Sequence, residues 1–337
     1  MGKLGVSKFN PVLFALIREM VAGPILVAIA LFLEGAPKIK LKDLWMFALS
    51  GFFVFANQFG FIVGEKLSNA VIGSAWQPSQ PIMTVTIAIF LGWESATPFK
   101  LLGIFIAFGG AAFMVFYGQH FSSSSTGLLA GNILFFLNCL GTALYVITTK
   151  PLINTYKYPP ITVTGFSYIF GSLFMAVTAV TINTVPGGVK FVCPVDENTE
   201  EVFRCGHHYC SCDTWTVPDN AWIPLAYWIV FNSVLAYFLL TWGNRYADAS
   251  KVLGYTALQP LTSALVSLII ITIAGKSKYP DLKEPGMNGL GGVGIVFGLL
   301  FIMYDNHLQK VKTDKPGEDS VCDELIPEEG RSRKQGA

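Results

Sequence analysis

A succession of apolar stretches, each about as long as a bilayer is thick, constrains this chain more than any other feature. A helix needs roughly 20 apolar residues to cross the hydrocarbon layer. Nine stretches meet that requirement, at about 11–33, 44–63, 70–92, 101–117, 127–149, 161–182, 222–242, 252–274 and 288–304. All are too long for buried strands, and the Gly and Pro residues inside them are tolerated in membrane helices. Only 13% of the 337 residues are charged and 52% belong to the apolar set. Soluble domains carry about 25% charged residues, so a water-facing surface cannot be built from this composition. The reading is an all-α polytopic membrane protein with nine predicted transmembrane helices, its first partner being the lipid bilayer.

The first stretch is longer than a signal-peptide core and lacks a small-residue cleavage site after it, so it reads as a span. Residues 118–126 form a polar linker, 183–221 a long loop, and 305–337 a charged tail with the composition of a disordered segment. Basic residues in alternate connections tie at eight per side, and six more in the tail tip the balance. The positive-inside rule then puts the C-terminus in the cytosol and the 183–221 loop outside. Which membrane holds the chain, plasma membrane or endomembrane, is left open.

Cysteine placement favours the same orientation. Cys193, Cys205, Cys210 and Cys212 all lie in the long loop, where an oxidising compartment permits disulfides. Four thiols allow three pairings and the sequence does not choose. A zinc site from Cys205, His207, His208, Cys210 and Cys212 is the alternative, but the spacing departs from the usual CxxC knuckle. Disulfides are the expectation, and neither metal nor cofactor is predicted.

An internal repeat gives the spans an order. The segment 64–81 lies over 243–260 at a constant offset, so that Gly64, Ala70, Gln80 and Pro81 meet Gly243, Ala249, Gln259 and Pro260. In the topology above the two turns lie on opposite sides, so the repeat is inverted. Spans one to four correspond to six to nine, which leaves the fifth (127–149) without a counterpart. A regular array would hold five helices in each half; here the first is missing before Asn10, through a truncated gene model or a true nine-helix variant.

These repeats resemble the EamA-type half of the drug/metabolite transporter superfamily. The likeness is carried by NPVLFALIRE (10–19), QPIMTVTIAIFLGWE (80–94), LLGIFIAFGG (101–110), GLLAGNILFFLNCLGTALYVITTKPL (127–152) and GLLFIMYDN (298–306). Plant-type amino-acid and metabolite exporters look most similar. The resemblance implies an inverted 5+5 helix repeat lacking its first helix. One EamA-type half would cover 11–117 and the other 127–304, with the Cys-rich loop inserted. It also implies a central cavity between the halves.

Polar residues inside spans are costly and should face that cavity or another helix. Helical spacing aligns Gln77, Gln80 and Thr84, with Trp76 beside them, and aligns Asn138, Thr142 and Tyr145. Asn57, Gln58, Asn232, Tyr237, Tyr255 and Gln259 complete the cavity candidates. Pro81 and Pro260 are expected as kinks or hinges. Glu19 is the one acidic residue well inside a span; it is either a proton-coupling carboxylate or an interhelical contact. Arg18, its neighbour, points about 100° away.

These features support a secondary transporter or facilitator for small neutral or zwitterionic organic metabolites, working by alternating access. Phosphorylated cargo is disfavoured, because one intramembrane Arg is too few to offset its charge. The alternative is a non-transporting receptor or scaffold that uses the Cys-rich loop. No P-loop, GxSxG or HExxH motif is present, so no enzyme activity is expected. A net charge of +1 offers no field for nucleic acid. A homodimer is compatible with all of this.

Overall fold

The computed structural model describes residues 9–36, 39–68, 70–116, 125–185, 187–195, 202–205, 208–247, 249–253 and 289–314. Positions 256, 259, 266, 269, 272, 273 and 287 are described singly. The described residues are mostly helical. Among them, five helices are long and apolar enough to cross a membrane: Pro11–Glu34, Leu41–Leu67, Leu129–Asn154, Pro160–Thr184 and Asp219–Gly243. Shorter apolar helices lie at Pro98–Gly110 and Leu290–Asp305. Burial departs from that of a soluble protein at both ends of the polarity scale. Arg18, Glu19, Asn57, Gln80, Thr84 and Asn138 are buried, whereas Phe32, Phe90, Phe105 and Ile223 are almost fully exposed. An apolar exterior, with polar side chains held inside among apolar cores, is an arrangement suited to lipid as solvent. The chain is therefore an integral, multi-pass membrane protein.

Local sequence sets the helix boundaries. Helix α1 (Pro11–Glu34) starts behind Asn10, whose side chain accepts from the N–H groups of Val12 and Leu13, with Pro at the first helical position. It stops at Gly35, which takes a φ of 74° that other residues resist. Helix α2 (Leu44–Leu67) follows a 3₁₀ turn. The expected third span is two pieces, α3 (Ala70–Trp76) and α4 (Ser79–Phe90). Pro78 has no N–H to continue the ladder, and the chain closes with short Gln77-to-Ser74 and Gln80-to-Gln77 turns. Pro81 thus falls in the first turn of α4, where a missing N–H is harmless. The break lies at Gln77–Pro78 and not at Pro81.

Helices α5 (Pro98–Phe116), α6 (Ser125–Asn154) and α7 (Pro160–Thr184) follow. A disulfide-bonded cap comes next, made of α8 (Gly188–Val192) and an antiparallel hairpin of β1 (Phe203–Cys205) and β2 (His208–Cys210). The next span changes pitch along its length. It runs as α9 (Trp222–Tyr227), a π-helical stretch (Trp228–Leu235) and α10 (Ala236–Gly243). Short α11 (Ala249–Val252) precedes the expected eighth span, which lies mostly outside the described residues together with Tyr255 and Pro260. Helix α12 (Gly289–Asp314) continues into the segment expected as tail.

Packing is closest between α2 and α6, α5 and α12, and α1 and α7. One apolar core joins α1, α2, α7, α9 and the cap. A second lies between α3, α4, α5, α6 and α12. The cap belongs to the first core. Phe9, Val192, Cys193, Cys210, Cys212 and Ala221 are fully buried, and Asn10 Nδ2 donates to Asn183 Oδ1 and to the Thr214 carbonyl.

Candidate functional site

Where α2 crosses α6, two glycines bring the backbones together. A Cβ on Gly60 would stand 2.6 Å from the Leu134 carbonyl oxygen, and one on Gly141 2.8 Å from the Asn57 nitrogen. The close approach lets the side chains between them reach across. Asn57 Nδ2 donates to the Asn138 carbonyl at 3.2 Å, and Asn138 Nδ2 donates to the Asn57 carbonyl at 3.0 Å.

A directed chain of hydrogen bonds spreads from this pair. Gln80 donates to Gln77, and Gln77 Nε2 donates to Asn138 Oδ1 at 3.1 Å and to the Gly73 carbonyl. Asn57 donates also to Thr142, and the Tyr237 hydroxyl donates to Asn57 Oδ1. Each acceptor assignment fixes the next donor, so α4, α3, α6, α2 and α10 are joined in one polar frame.

A cavity of about 120 Å³ opens against this frame, lined by Asn57, Gln58, Gln77, Gln80, Asn138, Thr142, Tyr237 and Gln259. The sequence marked all eight, each being polar in an apolar stretch. Asn232 also lines it, and so do Phe61, Trp228, Ala236 and Leu240, which the sequence did not single out. Those four are apolar residues within apolar spans and carry no contrast.

Two predicted members stand apart from the wall. Trp76 turns its Nε1–H to Asn132 Oδ1 at 2.9 Å and packs in the second core. Tyr145 is buried, bonded to Thr241 at 2.8 Å, and packs edge-on to Tyr237 with ring centroids 5.6 Å apart. It supports Tyr237 from behind.

On the α1 side, fully buried Arg18 donates to Gln58 and lies over the Trp228 ring at 5.2 Å. Gln58 Nε2 donates in turn to the Tyr168 hydroxyl at 3.2 Å. Glu19 is also fully buried, and neither of its carboxyl oxygens has a hydrogen-bond partner among the described residues. No cluster of His, Cys, Asp and Glu able to hold a metal occurs among the described residues. In the cap, Cys193 is bonded to Cys212 and Cys205 to Cys210.

Apolar helices long enough to cross a membrane thus surround an amide-lined chamber. Residues 1–116 match the EamA-like transporter family. An uncharacterized transporter of Archaeoglobus fulgidus is 24% identical over 90% of this chain and 92% of its own. The uncharacterized transporter YyaM of Bacillus subtilis is 22% identical over 81% of each chain. A solved crystal structure shares the fold at a TM-score of 0.56 and 14% identity, covering 89% of this chain and 90% of that one. Across its first third the chain is thus similar to EamA-like transporters, and over most of its length to proteins named as transporters.

Proposed function

We propose that the protein moves small neutral or zwitterionic organic metabolites, amino acids or compounds of similar size, by alternating access. The observation that carries this reading is the cavity itself. Its wall takes amide side chains from α2, α4, α6 and the turn between α3 and α4, together with Gln259 from the matching repeat position. In this reading the spans form an inverted repeat, with halves at 11–117 and 127–304 and the C-terminus in the cytosol. Gln80 and Gln259 are the paired contacts contributed by the two halves. The interrupted third span supports it too, since broken helices border the substrate site in inverted-repeat transporters.

Glu19 is the proposed coupling carboxylate, on the strength of its complete burial without a hydrogen-bond partner among the described residues. The receptor alternative has less support, because the cap's buried residues belong to the same core as α1, α2 and α7 and do not form a separable module. The test is substrate exchange in vesicles by a variant carrying Gln80→Leu and Gln259→Leu together. Exchange is expected to fall at least tenfold with folding and membrane insertion intact; exchange at the unaltered rate would remove the site.

A further inference from the structure

We propose that Asn232 reads the substrate, and that the substrate is an uncharged planar ring with an N–H and a C=O side by side, as on a pyrimidine base. The proposal deepens the transporter reading above and rests on it.

Most amides in the wall are already committed to the frame. Asn57 uses its Nδ2 on Asn138 and Thr142 and its Oδ1 on Tyr237. Asn138 and Gln77 each have both ends engaged, and Gln58 is held between Arg18 and Tyr168. Asn232 differs. It lines the cavity, yet neither end of its amide bonds to another described residue.

Its presentation follows from the π-helical stretch. Cavity-facing positions in this span include Trp228, Asn232, Ala236 and Leu240, spaced by four, with Tyr237 beside Ala236. In a continuous α-helix a four-residue step overshoots the 3.6-residue turn and the stripe drifts. The i→i+5 pattern over Trp228–Leu235 widens the turn and offsets that drift. Asn232 is thereby held in line between the Trp228 ring and the small Ala236.

The chemistry of the ligand follows from the wall. None of the described lining residues is charged, so a zwitterion would lose water at both charged ends with no charged group in the wall to contact. A side-chain amide offers a donor and an acceptor in one plane, which an adjacent N–H and C=O complement in a two-point contact. Trp228, Phe61 and Tyr237 supply aromatic surface for a flat ring. The volume of about 120 Å³ corresponds to about four waters, the scale of one small ring.

The test uses the full chain, with uracil as probe. 1,3-Dimethyluracil, which keeps the ring but lacks its N–H donors, and leucine, a zwitterion, serve as comparators. Uracil is expected to raise Tm and to exchange across vesicles, the comparators to do neither. Asn232→Leu should weaken uracil binding roughly tenfold to a hundredfold without changing the ligand-free Tm. Asn232→Ser, smaller and polar, should show the same loss if the Leu variant does not fold. Unaltered uracil binding by either folded variant, or an equal response to dimethyluracil, overturns the role of Asn232. Leucine exchange without uracil exchange overturns this proposal and leaves the transporter reading standing. Exchange of neither counts against both.

Discussion

Asn57 and Asn138 each donate a side-chain amide to the other's backbone carbonyl across the α2–α6 crossing. The exchange is reciprocal, so removing one side chain also leaves the partner's carbonyl and the remaining frame donors unsatisfied. Buried groups left without a partner cost about 1–3 kcal/mol. Asn138→Leu should therefore lower stability by about that amount, read as a drop in Tm in detergent. Gln80→Leu, at the end of the chain of donors, should lower it less.

The two glycines at that crossing make a sharper prediction. Gly60→Ala and Gly141→Ala place a methyl against backbone atoms of the facing helix at 2.6 and 2.8 Å, so the helices must separate, at about 1–3 kcal/mol. Gly109→Ala meets nothing within 4 Å. It should be neutral or stabilising by up to about 1 kcal/mol, since Ala is the better helix former. Parallel melting curves of the three variants check the contrast.

The cap disulfides close loops of different size, 19 residues for Cys193–Cys212 and 5 for Cys205–Cys210. Chain entropy then gives about 3 kcal/mol to the first and about 2 kcal/mol to the second. Cys193→Ser should lower Tm more than Cys205→Ser. Because the cap shares its core with α1, reducing agent should also expose Phe9 and Cys193, detectable as faster hydrogen exchange at the start of α1.

If Glu19 couples transport to protons, Glu19→Gln should abolish substrate accumulation driven by a pH gradient while leaving exchange at equal pH intact. Loss of both would assign Glu19 to packing, and loss of neither would remove it from the mechanism.

Much of the site was legible because an amide inside a hydrocarbon-length stretch stands out against its neighbours, as Asn57, Gln77, Gln80 and Asn138 do. Phe61, Trp228 and Leu240 do not stand out, since span composition gives an apolar residue no reason to face one way. Trp76 and Tyr145 were drawn toward the cavity by spacing alone, and partners on other helices, Asn132 and Thr241, took their polar atoms instead. The helix break was read one turn late. Hydropathy is blind to backbone continuity, and of two prolines three residues apart only Pro78 sits where an N–H is missed. The cysteine pairing depended on the β1–β2 hairpin, which puts Cys205 and Cys210 on facing strands.

A π-helical stretch holds one residue more than an α-helix covering the same turns. Between Trp228 and Leu235 the chain has a place where a single residue can be lost and the span still closes as an α-helix. The turns on either side would keep their phase, with Tyr237 against Asn57 and Thr241 against Tyr145, and the residues between Trp228 and Leu235, Asn232 among them, would change the face they present. Relatives that differ here by one residue would then differ in what their cavities present, even with every neighbouring side chain unchanged. In this wall, specificity is written in residue count as well as residue kind.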